Sequence, residues 1–150
     1  EGIRARFALV GKMDSGNPAA IPISQLTAWQ KEEVVEWWGW QEDIAAVYAQ
    51  AHIVCLPSYR EGMPRVLAEA GASGRPVVAA DVPGCRLVVR DGVNGLLVAP
   101  RDAYALADAL KRLILDPSLR SMMGKNGREI AVREFSIERV VSDTIRIYQQ

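Results

Sequence analysis

Two acids in one short stretch have the types and spacing to do chemistry. Residues 58–69 read SYREGMPRVLAE, with Glu61 and Glu69 eight positions apart. An apolar run, IVCLP, leads into this stretch, and a helical pattern, PRVLAEAGAS over residues 64–73, leads out of it. A helix start presents unpaired N–H groups and about half a positive charge, which makes it an anion site. Pro64 removes one donor, so the amides of Met63, Arg65 and Val66 are those expected to point outward. Gly62 lets the chain turn and lets a ligand approach the backbone. A carboxylate accepts hydrogen bonds from two hydroxyls at once. The two acids bracket roughly 8 Å of helix start at the helical rise per residue. Hydroxyls at both ends and an anion in the middle is the layout of a nucleotide-sugar.

Alternating elements are what must hold this turn. Five short apolar runs recur at residues 6–11 (RFALVG), 34–39 (VVEWWG), 53–57 (IVCLP), 77–80 (VVAA) and 95–99 (GLLVA). Most are continuous rather than alternating, as strands covered on both faces are. Between them the pattern predicts helices over 24–32, 41–50 and 64–73, and a short piece over 84–90. Strand and helix in alternation predict a parallel sheet with helices on both faces. After Ala99 three helices follow. The first spans 104–115, the second opens at the cap Asp116-Pro117, and the third is capped by Ser136, with Ile137, Val140, Val141, Ile145 and Tyr148 on one side. Residues 12–22 (KMDSGNPAAIP) read as the flexible stretch. Ligands of open α/β sheets bind beyond the carboxyl ends of the strands, which is where the Glu61 turn falls.

Composition narrows the function classes. The chain has 150 residues, one domain's worth, and a hydrophobic fraction of 49%, enough for a core. Lys plus Arg and Asp plus Glu number 18 each, so no electrostatic footprint for nucleic acid or a polybasic membrane patch exists. No apolar run approaches the ~18 residues of a spanning helix. Cys55 and Cys85 lack CxxC or Cys/His spacing, which argues against a zinc site or a disulfide framework; Cys55 reads as a small buried hydrophobe. The single histidine, His52, stands at a strand entrance and reads as structural, and Arg86 and Arg90 read as solvated.

The Glu-x7-Glu pair within PSYREGMPRVLAEAGASGRPVVAADVPG, followed by DGVNGLLV, resembles the C-terminal, donor-binding half of a retaining GT-B glycosyltransferase of family 4. The resemblance runs over most of residues 6–148. It implies a Rossmann-like, doubly wound parallel sheet with C-terminal helices. It further implies that Glu61, the catalytic residue of the set, bonds hydroxyls of the donor sugar and lies near the reacting carbon. Glu69 would bond the ribose hydroxyls. The backbone from Gly62 through Met63, Pro64 and Arg65 to Val66 would hold sugar and diphosphate, and Trp40 and Gln41 would border the nucleobase. The resemblance implies no cofactor and no metal, with a nucleoside-diphosphate sugar as donor substrate and a glycan or lipid-linked acceptor. It implies a cytoplasmic protein, or one peripheral at the inner membrane face.

Departures from the family pattern shape the expectation. The strand–helix unit that brings an Arg and a Lys to clamp the diphosphate is missing at the N-terminal side, so neither residue is assigned. Leu87 stands where many relatives have a glutamate. The 150 residues are therefore expected to be one nucleotide-sugar-binding domain, truncated at its N-terminal side, which by itself binds donor weakly and catalyses nothing. Its acceptor would be held by an N-terminal domain. The alternatives are a non-catalytic nucleotide-binding module or subunit, and a receiver-like domain. Against the last stands the lack of an acidic cluster after the first strand, where Lys12 and Met13 precede only Asp14.

Overall fold

In a computed structural model, residues 2–13, 16 and 20–149 are described. The stretch 12–22 expected to be flexible lies partly outside these described residues, at 14, 15 and 17–19, as does Asp14. The chain divides into two compact units, Glu1–Val47 and Tyr48–Gln150.

The first unit carries β1 (Ala8–Val10), α1 (Ile23–Lys31) and β2 (Glu36–Gly39), and the start of α2 (Ile44–Gln50). β1 and β2 pair in parallel, with Leu9 opposite Trp37. The indole N–H of Trp37 donates to the Gly11 carbonyl at 3.1 Å, whereas that of Trp38 donates to Glu36 Oε2 at 3.0 Å. Adjacent tryptophans in a strand face opposite ways, and each is half-buried and finds its own acceptor. Arg6 grips Glu36 with two bonds of 2.7 and 2.8 Å.

The second unit carries the end of α2, β3 (Val54–Leu56), α3 (Arg65–Ala72), β4 (Val77–Ala80), α4 (Pro83–Arg86), β5 (Gly95–Val98), α5 (Ala103–Leu115), α6 (Pro117–Phe135) and α7 (Ile137–Tyr148). Its strands form a parallel sheet in the order β3-β4-β5. The α/β class, the parallel strands and the C-terminal helices are those read from the sequence. The strands form two sheets, β1-β2 and β3-β4-β5, where the alternation predicted one. An apolar run specifies a strand locally, but which strands pair is decided by long-range packing.

β4 shows why an unbroken apolar run was needed. Val77 and Ala79 join one core cluster with Leu67 and Ala70 of α3, while Val78 joins another with Leu113 of α5 and Met123 of α6. Alternate residues of one strand thus fill two cores. Cys55, on β3, is exposed rather than buried. β3 stands at an edge of its sheet, so it lacks the two-sided cover that β4 has.

Helix starts follow local chemistry. Asp116 accepts from the Leu119 amide at 2.9 Å and Ser136 from the Arg139 amide at 3.3 Å. Asp102 does the same for Ala105 at 2.9 Å and starts α5 at Ala103, one residue before the expected boundary. α6 carries glycines inside a helix, which costs ~1 kcal/mol each against alanine. Here they let α6 lie against α3: a Cβ on Gly127 would stand 3.4 Å from the Gly71 Cα, and one on Gly124 would overlap the Gly74 carbonyl. Arg86 and Arg90 are exposed, as expected, and each also pairs with an acid: Arg90 Nη2 donates to both Glu134 oxygens at 2.6 and 2.7 Å, and Arg86 bonds Asp81 at 2.6 Å. Both arginines have acids of other elements or loops within reach, a proximity no local pattern shows. No described helix is long and apolar enough to cross a membrane.

Candidate functional site

The turn after β3 is built by what surrounds it. Pro64 is buried and occupies the cap position of α3, so the helix begins at Arg65, one residue after the expected start at Pro64. A proline cap offers no side-chain acceptor, and none is present. The Leu67 amide folds back to the Pro64 carbonyl at 3.1 Å. Among the described residues, the amides of Met63, Arg65 and Val66 donate to no protein acceptor. Gly62, Met63, Arg65 and Val66 are exposed. The helix start therefore presents its positive end and open donors to solvent.

A second loop closes under this turn. β4 ends at Ala80, and Val82 caps the short α4 with Pro83 in its first turn. Gly84 lies so close to the turn that a Cβ there would overlap the carbonyl oxygens of both Glu61 and Gly62. Only glycine permits that approach. Cys85 follows, fully buried, and its thiol is pushed up by burial first and then by the charges of Glu61 and Asp81. The Glu61 carboxylate thus sits near the start of α4. Among the described residues no hydrogen bond or ion pair reaches it. Leu87, just past α4, is 62% exposed.

Glu69 is half-buried and held. Its Oε2 lies 3.2 Å from the Tyr48 hydroxyl, and its Oε1 lies 3.5 Å from Arg65 Nη2. The ordinary i, i+4 pair with Arg65 therefore forms, but it is long and Arg65 is 87% exposed, so it adds little. Tyr48 was not singled out in the sequence. It lies within the helix expected over 41–50, and the partner that makes it special lies 21 residues on.

Trp40 and Gln41 belong to the first unit. Trp40 is 65% exposed, with Lys12 Nζ 5.4 Å from its ring centroid. Gln41 donates to the Trp38 carbonyl at 2.7 Å. The second unit brings together Glu61, the open amides and Glu69; Trp40, Gln41 and Lys12 form their own group in the first.

A cavity of about 560 Å³ lies at the amino ends of β3 and β4, lined by His52, Arg75, Arg120, Lys125, Arg128 and Glu129 among others. Three of its arginines already serve helix ends. Arg75 donates to the Ala49 carbonyl at 3.1 Å, Arg120 to Leu113 and Ile114 at 2.7 Å each, and Arg128 to Ala72. These carbonyls close α2, α5 and α3, where cations are stabilising. Among the described residues no group of three His, Cys, Asp or Glu side chains could hold a metal ion.

The turn, its open amides and its two acids now have relatives to stand beside. Residues 1–116 match the family described as Glycosyl transferases group 1. The chain belongs to that family. It is 42% identical over 107 residues to a D-inositol 3-phosphate glycosyltransferase of Salinispora tropica, which covers 71% of this chain and 22% of the relative. Sucrose-phosphate synthase from Thermosynechococcus elongatus superposes with a TM-score of 0.84 at 34% identity, over 95% of this chain and 37% of that one. Anabaena HepE in complex with UDP gives 0.87 at 28% identity, over 96% and 40%. The structural neighbours are GT-B glycosyltransferases. The chain spans about a quarter of the length of the curated relatives it matches.

Proposed function

We propose that this group 1 chain binds the nucleoside-diphosphate sugar donor of a retaining family 4 glycosyltransferase, which passes the sugar to a glycan or lipid-linked acceptor. The observation that carries this is the uncapped start of α3, with open amides between Glu61 and Glu69. In this reading the amides of Met63, Arg65 and Val66 hold the diphosphate. Glu61 takes sugar hydroxyls beside the reacting carbon, and Glu69 takes the ribose diol. Charge builds on the diphosphate as the glycosidic bond to it breaks, and fixed N–H donors at a helix start stabilise that charge without reorganising. The same helix start does this without a metal. The cationic clamp on the diphosphate and the acceptor site are contributed by residues outside these 150. A UDP-sugar is the first donor to try, because the HepE neighbour is solved with UDP. The protein is cytoplasmic in this reading, or peripheral at the inner membrane face where the acceptor is lipid-linked.

The test is calorimetric titration of UDP-, GDP- and ADP-sugars into the longest chain the gene encodes, with transfer followed in parallel. One donor class is expected to bind and to be turned over with retention at the anomeric carbon. Glu61→Ala is expected to cut transfer and Glu69→Ala to weaken donor binding, both at unchanged thermal stability. Binding without transfer would favour the non-catalytic module instead. Transfer unchanged by both substitutions would remove Glu61 and Glu69 from the site.

A further inference from the structure

Tyr48 and Arg65 touch the same carboxylate, yet they are unlike supports. Arg65 is a solvated side chain whose Nη2 lies 3.5 Å from Oε1. Tyr48 is 4% exposed, and its ring belongs to the core cluster that includes Leu67 and Ala70 on either side of Glu69's own helix turn. Its hydroxyl lies 3.2 Å from both Glu69 Oε2 and the Val66 carbonyl oxygen. A phenol has one proton to give, and a carboxylate is the stronger acceptor of the two. Burial, and then the charge of Glu69, push the ionisation of this phenol upward, so it remains a donor through the neutral range.

A glutamate on a helix surface samples several rotamers, whereas a vicinal diol needs both carboxylate oxygens presented in one plane. A bond to one oxygen from a donor fixed in the core restricts that plane before any ligand arrives, which lowers the ordering cost of binding. We infer that Tyr48 is a positioning residue for Glu69: its buried hydroxyl orients the carboxylate to take the ribose diol, and so sets the preference for ribonucleotides over deoxynucleotides. The inference rests on the role proposed above for Glu69.

The experiment uses the longest chain the gene encodes and the nucleoside diphosphate it binds most tightly among UDP, GDP and ADP. That compound and its 2′-deoxy and 3′-deoxy forms are titrated into wild type, Tyr48→Phe, Glu69→Gln and the double variant. Wild type is expected to prefer the ribose form. Tyr48→Phe should weaken the ribose form by about fivefold, the scale of ordering one side chain on binding, and leave the deoxy forms within about twofold. Glu69→Gln should abolish the preference, and adding Tyr48→Phe to it should change nothing more. Equal weakening of all three ligands by Tyr48→Phe would make Tyr48 a packing residue only and overturn the inference. An intact preference in Tyr48→Phe alongside its loss in Glu69→Gln would overturn the inference and spare Glu69. An intact preference in Glu69→Gln, or no preference in wild type, would overturn both. Thermal melting checks each fold. If Tyr48→Phe melts below the assay temperature, Glu69→Asp replaces it, drawing the charge one methylene away from Tyr48; a preference it retains overturns the inference.

Discussion

Gly84 touches the backbone of Glu61 and Gly62 where a Cβ would overlap both carbonyl oxygens. The loop after β4 thereby sets the height of the turn after β3, and the two meet at one edge of the sheet. Gly84→Ala must push one of them away. Overpacking of this kind costs typically 1–3 kcal/mol. Because the atoms displaced are those of the turn proposed to hold the donor, binding should fall more than stability does. Calorimetry with the preferred nucleotide-sugar, beside urea unfolding, measures the two losses separately. Unchanged donor affinity in a folded Gly84→Ala protein would detach this contact from the site.

Gly124→Ala sets two effects against each other. Alanine gains about 1 kcal/mol over glycine in a helix interior. Its methyl would overlap the Gly74 carbonyl where α6 crosses α3, which forces backbone to move. Backbone cannot yield as a side-chain tip can, so the clash wins and urea unfolding should show a net loss of about 1–2 kcal/mol. Gly92→Ala, in a turn with φ of 73° and open space around it, is the contrast: strain without collision.

What could be read beforehand was what is local. The strands were legible because strands covered on both faces leave continuous apolar runs, and the cores on either side of Val78 are the reason. Asp116 and Ser136 were legible because a cap bonds an amide only three residues away. Glu61 and Glu69 were legible as a pair because the turn and the helix between them lie in one stretch. What joins distant residues left no such mark. Tyr48 on Glu69, Arg90 on Glu134 and Gly84 under Glu61 each need the folded chain to become neighbours. Cys55 was misplaced for the same reason, since sheet order decides which strand is an edge.

Asn94 is the one buried polar side chain among the described core residues, at 4% exposure. Its Oδ1 accepts from the Arg90 amide at 2.7 Å and its Nδ2 donates to the Val88 carbonyl at 3.0 Å. Those two bonds fold the segment that delivers the chain into β5. Asn94→Ala strands one donor and one acceptor without partners, at about 1–3 kcal/mol for each unsatisfied group. Asn94→Asp keeps the acceptor but aims a carboxylate at the Val88 carbonyl, so its penalty should shrink when acid protonates it. Chemical unfolding at neutral pH and at about pH 3 separates the two cases.

Glu36 gives the first unit an acid sensitivity with a defined sign. The fork from Arg6, and next the Trp38 indole N–H, lower its carboxyl from 4.5 to about 2. A carboxyl whose folded value is depressed contributes stability that is fully present above its unfolded value and is lost as pH falls through the folded one. The window therefore runs from about 4.5 down to about 2. Both side chains are largely solvated, so the gain is small and screened by salt. Hydrogen exchange at Leu9 and Trp37, on the paired strands, is expected to quicken across that window beyond the intrinsic pH trend. In Arg6→Ala the window should narrow toward the ordinary carboxylate range. The same acceleration in wild type and Arg6→Ala would mean that the pair does not hold β1 to β2.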